Sequence, residues 1–150
     1  MTFFTGSDTY TVDSKFRVTV PAQYTSQLLD RPGQTAEGLT FFAVKYSLSG
    51  GKFKCIYLIL PETFKDMAAR MKEECGPILS PNDNMPTYTR LMASAKECRC
   101  DRQGRLIIPR KHLEYAQIDQ SVMIVGLDDI IQLWKPSQYE LYISEPQLSS

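Results

Sequence analysis

Two short segments place acidic and cationic side chains at a spacing that repeats. Asp13 and Arg17 stand four residues apart, and so do Asp101 and Arg105. Two repeated carboxylates suggest one chemistry first, a catalytic dyad, in which neighbouring like charges force the pair to share a proton. Here each Asp is followed by its own Arg, which holds it ionised. The chain also has no Asp-Thr/Ser-Gly-type loop, no phosphate-binding glycine loop and no nucleophile elbow. No catalytic residue is assigned, and the chain reads as a non-enzyme. The alternative chemistry is that of a tight turn. An Asp that opens a turn accepts backbone N–H bonds from two or three residues on, and an Arg on the returning strand lies within reach of its carboxylate. Such a pair ties off a hairpin and leaves the tip free for recognition.

The other reactive side chains give less. Cys55, Cys75, Cys98 and Cys100 do not form Cys-x-x-Cys pairs, and His112 is the only histidine, so zinc-ligand spacing is lacking and no metal or cofactor is expected. Cys98-Arg99-Cys100 would put both thiols on one face of a strand, an arrangement that suits a metal or a redox pair. Two reduced cysteines beside a turn are the plainer reading. The 17 basic and 17 acidic residues cancel, so the molecule as a whole has no pull toward nucleic acid; binding there needs a local basic patch or many copies of a small one. No apolar run is long enough for a membrane span. The first residues, Met-Thr-Phe-Phe-Thr-Gly, lack the features of a secretory signal. A cytoplasmic protein is expected.

The Asp–Arg pairs belong to an internal repeat. Residues 12–21 read Val-Asp-Ser-Lys-Phe-Arg-Val-Thr-Val-Pro and residues 100–109 read Cys-Asp-Arg-Gln-Gly-Arg-Leu-Ile-Ile-Pro, in register at an offset of 88. Ile56 to Phe64 then lines up with Ile131 to Tyr139, at an offset of 75. The first copy therefore carries a connector 13 residues longer, assigned to 31–34 or 47–51, both of loop composition. The expected organisation is a first half over 1–76, a breaker-rich linker over 77–86 and a second half over 87–150.

The elements that must position the turns follow from local pattern. Tyr10-Thr11-Val12 and Arg17 to Val20 are β-prone, with Asp13, Asp101 and Gly104 stabilising the turns; Gly104 is free to take positive φ. Pro21 and Pro109 end strands and open short helices over 22–28 and 110–116. A second strand pair is expected at 41–44 with 55–60 in the first half, and at 122–125 with 130–134 in the second, the latter linked by Gly126-Leu127-Asp128-Asp129. Phe64, Met67, Ala68, Met71 and Cys75 follow helical spacing and end at Gly76-Pro77, so one long helix begins after Pro61. Its Phe and Met stripe reads as core or subunit interface. Another short helix is expected over 87–96. Neither half holds enough core to stand alone, so the two are expected to pair about a pseudo-twofold axis.

The two Asp-x-x-x-Arg turns, each followed by aliphatic-x-aliphatic-Pro, together with Ile124-Val125-Gly126-Leu127-Asp128-Asp129-Ile130-Ile131-Gln132-Leu133-Trp134, strongly resemble the MraZ family of bacterial regulators. The resemblance covers nearly the whole chain, including Gly6. It implies a β-rich α+β fold in which two tandem AbrB-like halves form a pseudo-twofold swapped-hairpin barrel with flanking helices. It also implies a ring-shaped homo-oligomer that binds short direct repeats in double-stranded promoter DNA upstream of its own division and cell-wall gene cluster, as a repressor associated with the nucleoid. DNA contacts in the family carry over onto Lys15 and Arg17. This chain has Phe16 where the family usually has Gly, a change that can re-aim both, and Gln132 where a Glu is common.

Charge counts favour the other copy. Residues 96–112 carry a net +4, whereas residues 1–24 carry none, which makes Arg102 and Arg105 the better phosphate ligands on electrostatics alone. All four basic residues are therefore candidate DNA contacts. The rival function is a protein-interaction scaffold that regulates a neighbouring enzyme, such as a product of the same gene cluster, with little direct role for DNA.

Overall fold

The computed structural model describes residues 2–29, 31, 34–35 and 38–145. Its elements in chain order are β1 (Ser7–Thr11), β2 (Arg17–Thr19), α1 (Ala22–Thr25), β3 (Thr40–Leu48), β4 (Phe53–Ile59), α2 (Pro61–Glu74), α3 (Met85–Ser94), β5 (Lys96–Arg99), β6 (Arg105–Ile107), α4 (Arg110–Ala116), β7 (Ser121–Leu127), β8 (Ile130–Trp134) and α5 (Pro136–Ser144). The architecture is mixed α+β. Six antiparallel strands form one sheet in the order β1-β7-β8-β4-β3-β5, and β2 pairs with β6 in a separate ribbon.

That order reads the same from both edges once the repeat is applied. β1 corresponds to β5, β7 to β3 and β8 to β4. Strands cross between the halves: β1 pairs with β7, β5 with β3, and β4 with β8. The expected barrel is not what forms. The large sheet stays open, with β1 and β5 as its edges, and the ribbon is a second sheet packed on it. The ribbon strands are only three residues long, too short to continue the ladder around to closure.

Alternation along the strands sorts the core into two faces. Phe41, Ala43, Ile56, Leu58, Ile131, Leu133, Val122 and Ile124 face the ribbon and α4, joining Val18, Val20, Leu106, Ile108 and Leu113 in the largest buried cluster. Residues of opposite parity face the remaining helices. Val44 and Ile59 meet Phe64, Met67, Met71 and Leu91 of α2 and α3, with Phe42 stacked on Phe64. Cys55, Val125 and Trp134 lie under α5, where Tyr142 stacks on the indole at 4.9 Å. Because both sheet faces are covered, β8 is buried at four successive positions, Ile131 to Trp134. One of these is polar. Gln132 is accommodated because its Oε1 accepts the indole N–H of Trp134 at 2.9 Å.

Several local expectations need adjustment. The third helix begins earlier than 87–96, at Met85, and Lys96 already lies in β5. Strand β3 runs to Leu48, leaving Ser49 and Gly50, both at positive φ, to turn the chain. Of the 31–34 loop, Pro32 and Gly33 lie outside the described residues. Helix α5 is not apparent in the hydrophobic pattern. Leu141 and Ile143 are exposed, and the helix is held instead by Tyr139 and Tyr142 against Trp134. The long helix α2 ends as its composition requires, with Gly76 at φ +77°. Among the described residues no helix is long and apolar enough to cross a membrane.

Candidate nucleic-acid interface

Each Asp-x-x-x-Arg segment forms the same closed turn. In the first, Oδ1 of Asp13 accepts the backbone N–H groups of Lys15 and Arg17, both at 2.9 Å, and Oδ2 accepts Nε–H of Arg17 at 2.7 Å. In the second, Oδ1 of Asp101 accepts from Gln103 at 2.8 Å and Arg105 at 2.9 Å, while Oδ2 takes Nε–H of Arg105 at 2.6 Å. One carboxylate thus satisfies three donors in each turn. The backbone N–H groups of Arg17 and Arg105 hold Asp13 and Asp101 below the usual carboxylate range, and the guanidinium groups add to the effect. Both carboxyls are ionised at neutral pH, unlike a dyad that shares a proton.

The glycine difference between the copies leaves this geometry unchanged. Phe16 adopts φ +62° and Gly104 φ +79°, and each donates its N–H to the carbonyl of the Asp that opens its turn, at 3.0 Å. Phe16 therefore occupies the left-handed position that Gly104 fills without a side chain, and the turn keeps Arg17 on its carboxylate. A non-glycine residue in this conformation costs about 1–2 kcal/mol. The interlock between the hairpins offsets part of that cost, because the Phe16 carbonyl accepts Ile108 N–H at 3.0 Å and the Gly104 carbonyl accepts Val20 N–H at 2.8 Å.

The ribbon register then places the two arginines. Val18 pairs with Leu106, Arg17 with Ile107 and Thr19 with Arg105, so the repeat-equivalent residues Val18 and Leu106 face each other across the ribbon. Val18 and Leu106 point inward and are fully buried. Arg17, Thr19, Arg105 and Ile107 consequently share the outer face. The two arginines are diagonal neighbours, about 7–8 Å apart between backbone positions by ordinary strand geometry. Each is tethered through Nε only. Among the described residues neither arginine's Nη groups have a hydrogen-bond partner, and both side chains remain partly exposed. A guanidinium held this way is oriented, with its terminal nitrogens free to donate in parallel to a planar anion or a guanine edge. Lys15 and Arg102 project from the flanking turns as exposed residues.

The four sequence candidates and their two partner aspartates are thus gathered around one ribbon, a turn at either end. One cation there was not singled out by sequence reasoning. The Arg110 guanidinium lies over the Phe16 ring, 5.0 Å from its centroid. Its proximity arises from the fold, since 94 positions separate the pair.

The cysteines are placed differently. All four are free and buried, and burial pushes Cys55 and Cys100 up to about 12 and Cys98 up to about 11. Cys98 and Cys100 do face the same way, into the core shared by both halves. Their thiols stay protonated at neutral pH, which removes the nucleophilic form. Among the described residues no group of His, Cys, Asp and Glu is arranged to hold a metal.

Fold and site together define a mixed α+β protein with an internal sequence repeat, whose β2–β6 ribbon presents two Asp-tethered arginines. The family model described as "MraZ protein, putative antitoxin-like" matches residues 91–150. Proteins named transcriptional regulator MraZ match along almost the whole chain. The one from Thermoanaerobacter pseudethanolicus is 27% identical over 145 residues, covering 96% of this chain and 89% of the relative. That from Moorella thermoacetica is 26% identical, covering 95% and 87%, and that from Halothermothrix orenii is 29% identical, covering 97% and 90%. The chain is thus similar to MraZ proteins along almost its whole length, and to the family model over its second half.

Proposed function

We propose that this protein is a transcriptional regulator that binds double-stranded DNA through the outer face of the β2–β6 ribbon. In this reading it acts as a ring-shaped homo-oligomer on short repeated sites upstream of its own division and cell-wall gene cluster, represses that cluster, and resides on the nucleoid. The observation that carries the reading is the pairing of Arg17 and Arg105 on one exposed face, each fixed through Nε, with its Nη groups unpartnered among the described residues. Their relatives' name, transcriptional regulator, supports the same direction. An antiparallel two-stranded ribbon is of a size that enters the major groove. Lys15 and Arg102 at its two ends would then meet phosphates, while the arginines take the O6 and N7 acceptors of guanine.

The net charge of zero is consistent with this mechanism. One ribbon supplies few phosphate contacts, and its affinity alone is low. Several subunits meeting evenly spaced repeats convert each later contact into an intramolecular one, and avidity supplies the rest. The test is an anisotropy titration at stated salt against a duplex from upstream of the protein's own gene, with light scattering in parallel. Arg17→Ala is expected to lower affinity sharply at unchanged oligomer size, and Arg105→Ala to weaken it as well. Wild-type affinity in the Arg17→Ala, Arg105→Ala double variant would refute the assignment of the ribbon to DNA.

A further inference from the structure

We propose that Arg110 is a third phosphate-contacting cation of the first hairpin tip, and that Phe16 is the positioning residue that brings it there. The inference rests on the reading of the ribbon as a DNA-binding face.

The two turns share a backbone and differ in one side chain. Phe16 holds the left-handed position that Gly104 holds in the other copy, although glycine is the residue best suited to it. At φ +62° the Phe16 ring stands at the tip of the first turn, 38% exposed. The Arg110 guanidinium lies over that ring at 5.0 Å. Arg110 is exposed and has no carboxylate partner among the described residues. A cation–π contact uses no N–H donor of the guanidinium in a hydrogen bond, so a guanidinium held over a ring can still donate to a phosphate.

Among the described residues the second tip has no counterpart. Gly104 offers no ring, and the residue that matches Arg110 at the offset of 88 is Ala22. In the sequence Arg110 adds to the basic charge of the second copy. In the fold it lies at the tip of the first. That tip thereby gathers Lys15, Arg17 and Arg110 beside Asp13, with Glu114, Asp119 and Lys135 lining the groove next to Phe16 and Arg110, while the second turn carries Arg102 and Arg105 beside Asp101. The apparent excess of charge on the second copy is therefore partly transferred to the first, and the two tips grip the backbone unequally.

The test measures affinity against salt concentration for two duplexes, one from upstream of the protein's gene and one of the same composition in shuffled order. Loss of a phosphate contact weakens binding to both alike. Arg110→Ala is expected to lower the magnitude of the log–log salt slope by about 0.9 for each engaged copy, on either duplex. Phe16→Gly keeps the turn and the arginine but removes the platform, and it should reproduce most of that loss; Phe16→Tyr should restore the wild-type slope. An unchanged slope in Arg110→Ala, while Arg17→Ala still weakens binding, overturns this inference and leaves the ribbon assignment standing. A loss confined to the promoter duplex also overturns it, since that would mark base reading. If neither Arg110→Ala nor the arginine variants of the ribbon alter binding, the ribbon assignment fails and this proposal with it.

Discussion

Replacing Gly126 by alanine tests how the first hairpin is anchored. Gly126 lies in β7, against the N-terminal arm that leads into β1. A Cβ built on it meets Thr5 N at 2.5 Å, the Phe4 carbonyl carbon at 2.6 Å and Tyr24 Oη at 2.8 Å. Two of those atoms are backbone, so no rotamer change relieves the clash. Reaching an ordinary contact of 3.4 Å from 2.5 Å requires the arm to retreat by about 0.9 Å. The arm is held by Phe4 N–H to Asp128 O at 2.7 Å, Asp128 N–H to Phe4 O at 2.8 Å, Gly126 N–H to Gly6 O at 2.9 Å and Tyr24 O–H to Thr5 O at 2.6 Å. A retreat of that size breaks or badly stretches several of these bonds. At roughly 1 kcal/mol net for each, the substitution costs about 3 kcal/mol. For a domain of this size that corresponds to a fall in melting temperature of roughly 6–12 °C. Thermal unfolding followed by circular dichroism measures the fall, and amide exchange at Phe4, Gly126 and Asp128 reports whether the arm has lifted. A change below about 2 °C with full protection of those amides would refute the close seating of the arm on β7.

Three further outcomes follow from buried groups and the second turn. His112 is buried with Nε2–H facing the carbonyls of Ser94 at 2.7 Å and Ala43 at 3.1 Å, and desolvation, reinforced by Lys45 and Lys96, pushes its pKa below the ordinary value. The neutral form is the folded one, so its contribution is fully present above about pH 6.5. Stability should fall as pH drops below that, by at most about 1.4 kcal/mol per pH unit from this group. His112→Gln should lose that slope in urea titrations at pH 5–7. Gln132→Glu puts a carboxyl where Trp134 Nε1–H and the half-buried Tyr57 hydroxyl already lie, at 2.9 and 3.4 Å from the amide. Burial raises its folded pKa, so the variant should compare with wild type more favourably at pH 5 than at pH 8 in paired denaturation curves. Gly104→Ala forces a side chain into φ +79° with its Cβ 3.3 Å from the Val20 carbonyl oxygen. It should cost about 1–2 kcal/mol in urea unfolding, and equal stability would mean that the second turn has relaxed to another form.

The sequence by itself determined the repeat and most of what the repeat implies locally. An Asp that opens a turn, an Arg four residues on, alternating aliphatics and a terminating Pro are short-range signals, and their physics acts within ten residues. Asp13 and Asp101 can therefore be placed in turns, and α2 with its Gly76 stop can be read from spacing. What lies further apart could not be read this way. Helix α5 depends on Tyr139 and Tyr142 meeting Trp134, a tertiary contact that overrides a weak apolar pattern. The open sheet replaces a closed barrel because ribbon strands of three residues end before they can complete a ladder, and strand length is settled by packing between the halves. The same holds at the candidate interface. Register across the ribbon, fixed by burying Val18 and Leu106, decided that Arg17 and Arg105 share a face. Only the packing of one half on the other laid Arg110 over Phe16, because local sequence carries no information about a partner 94 residues away.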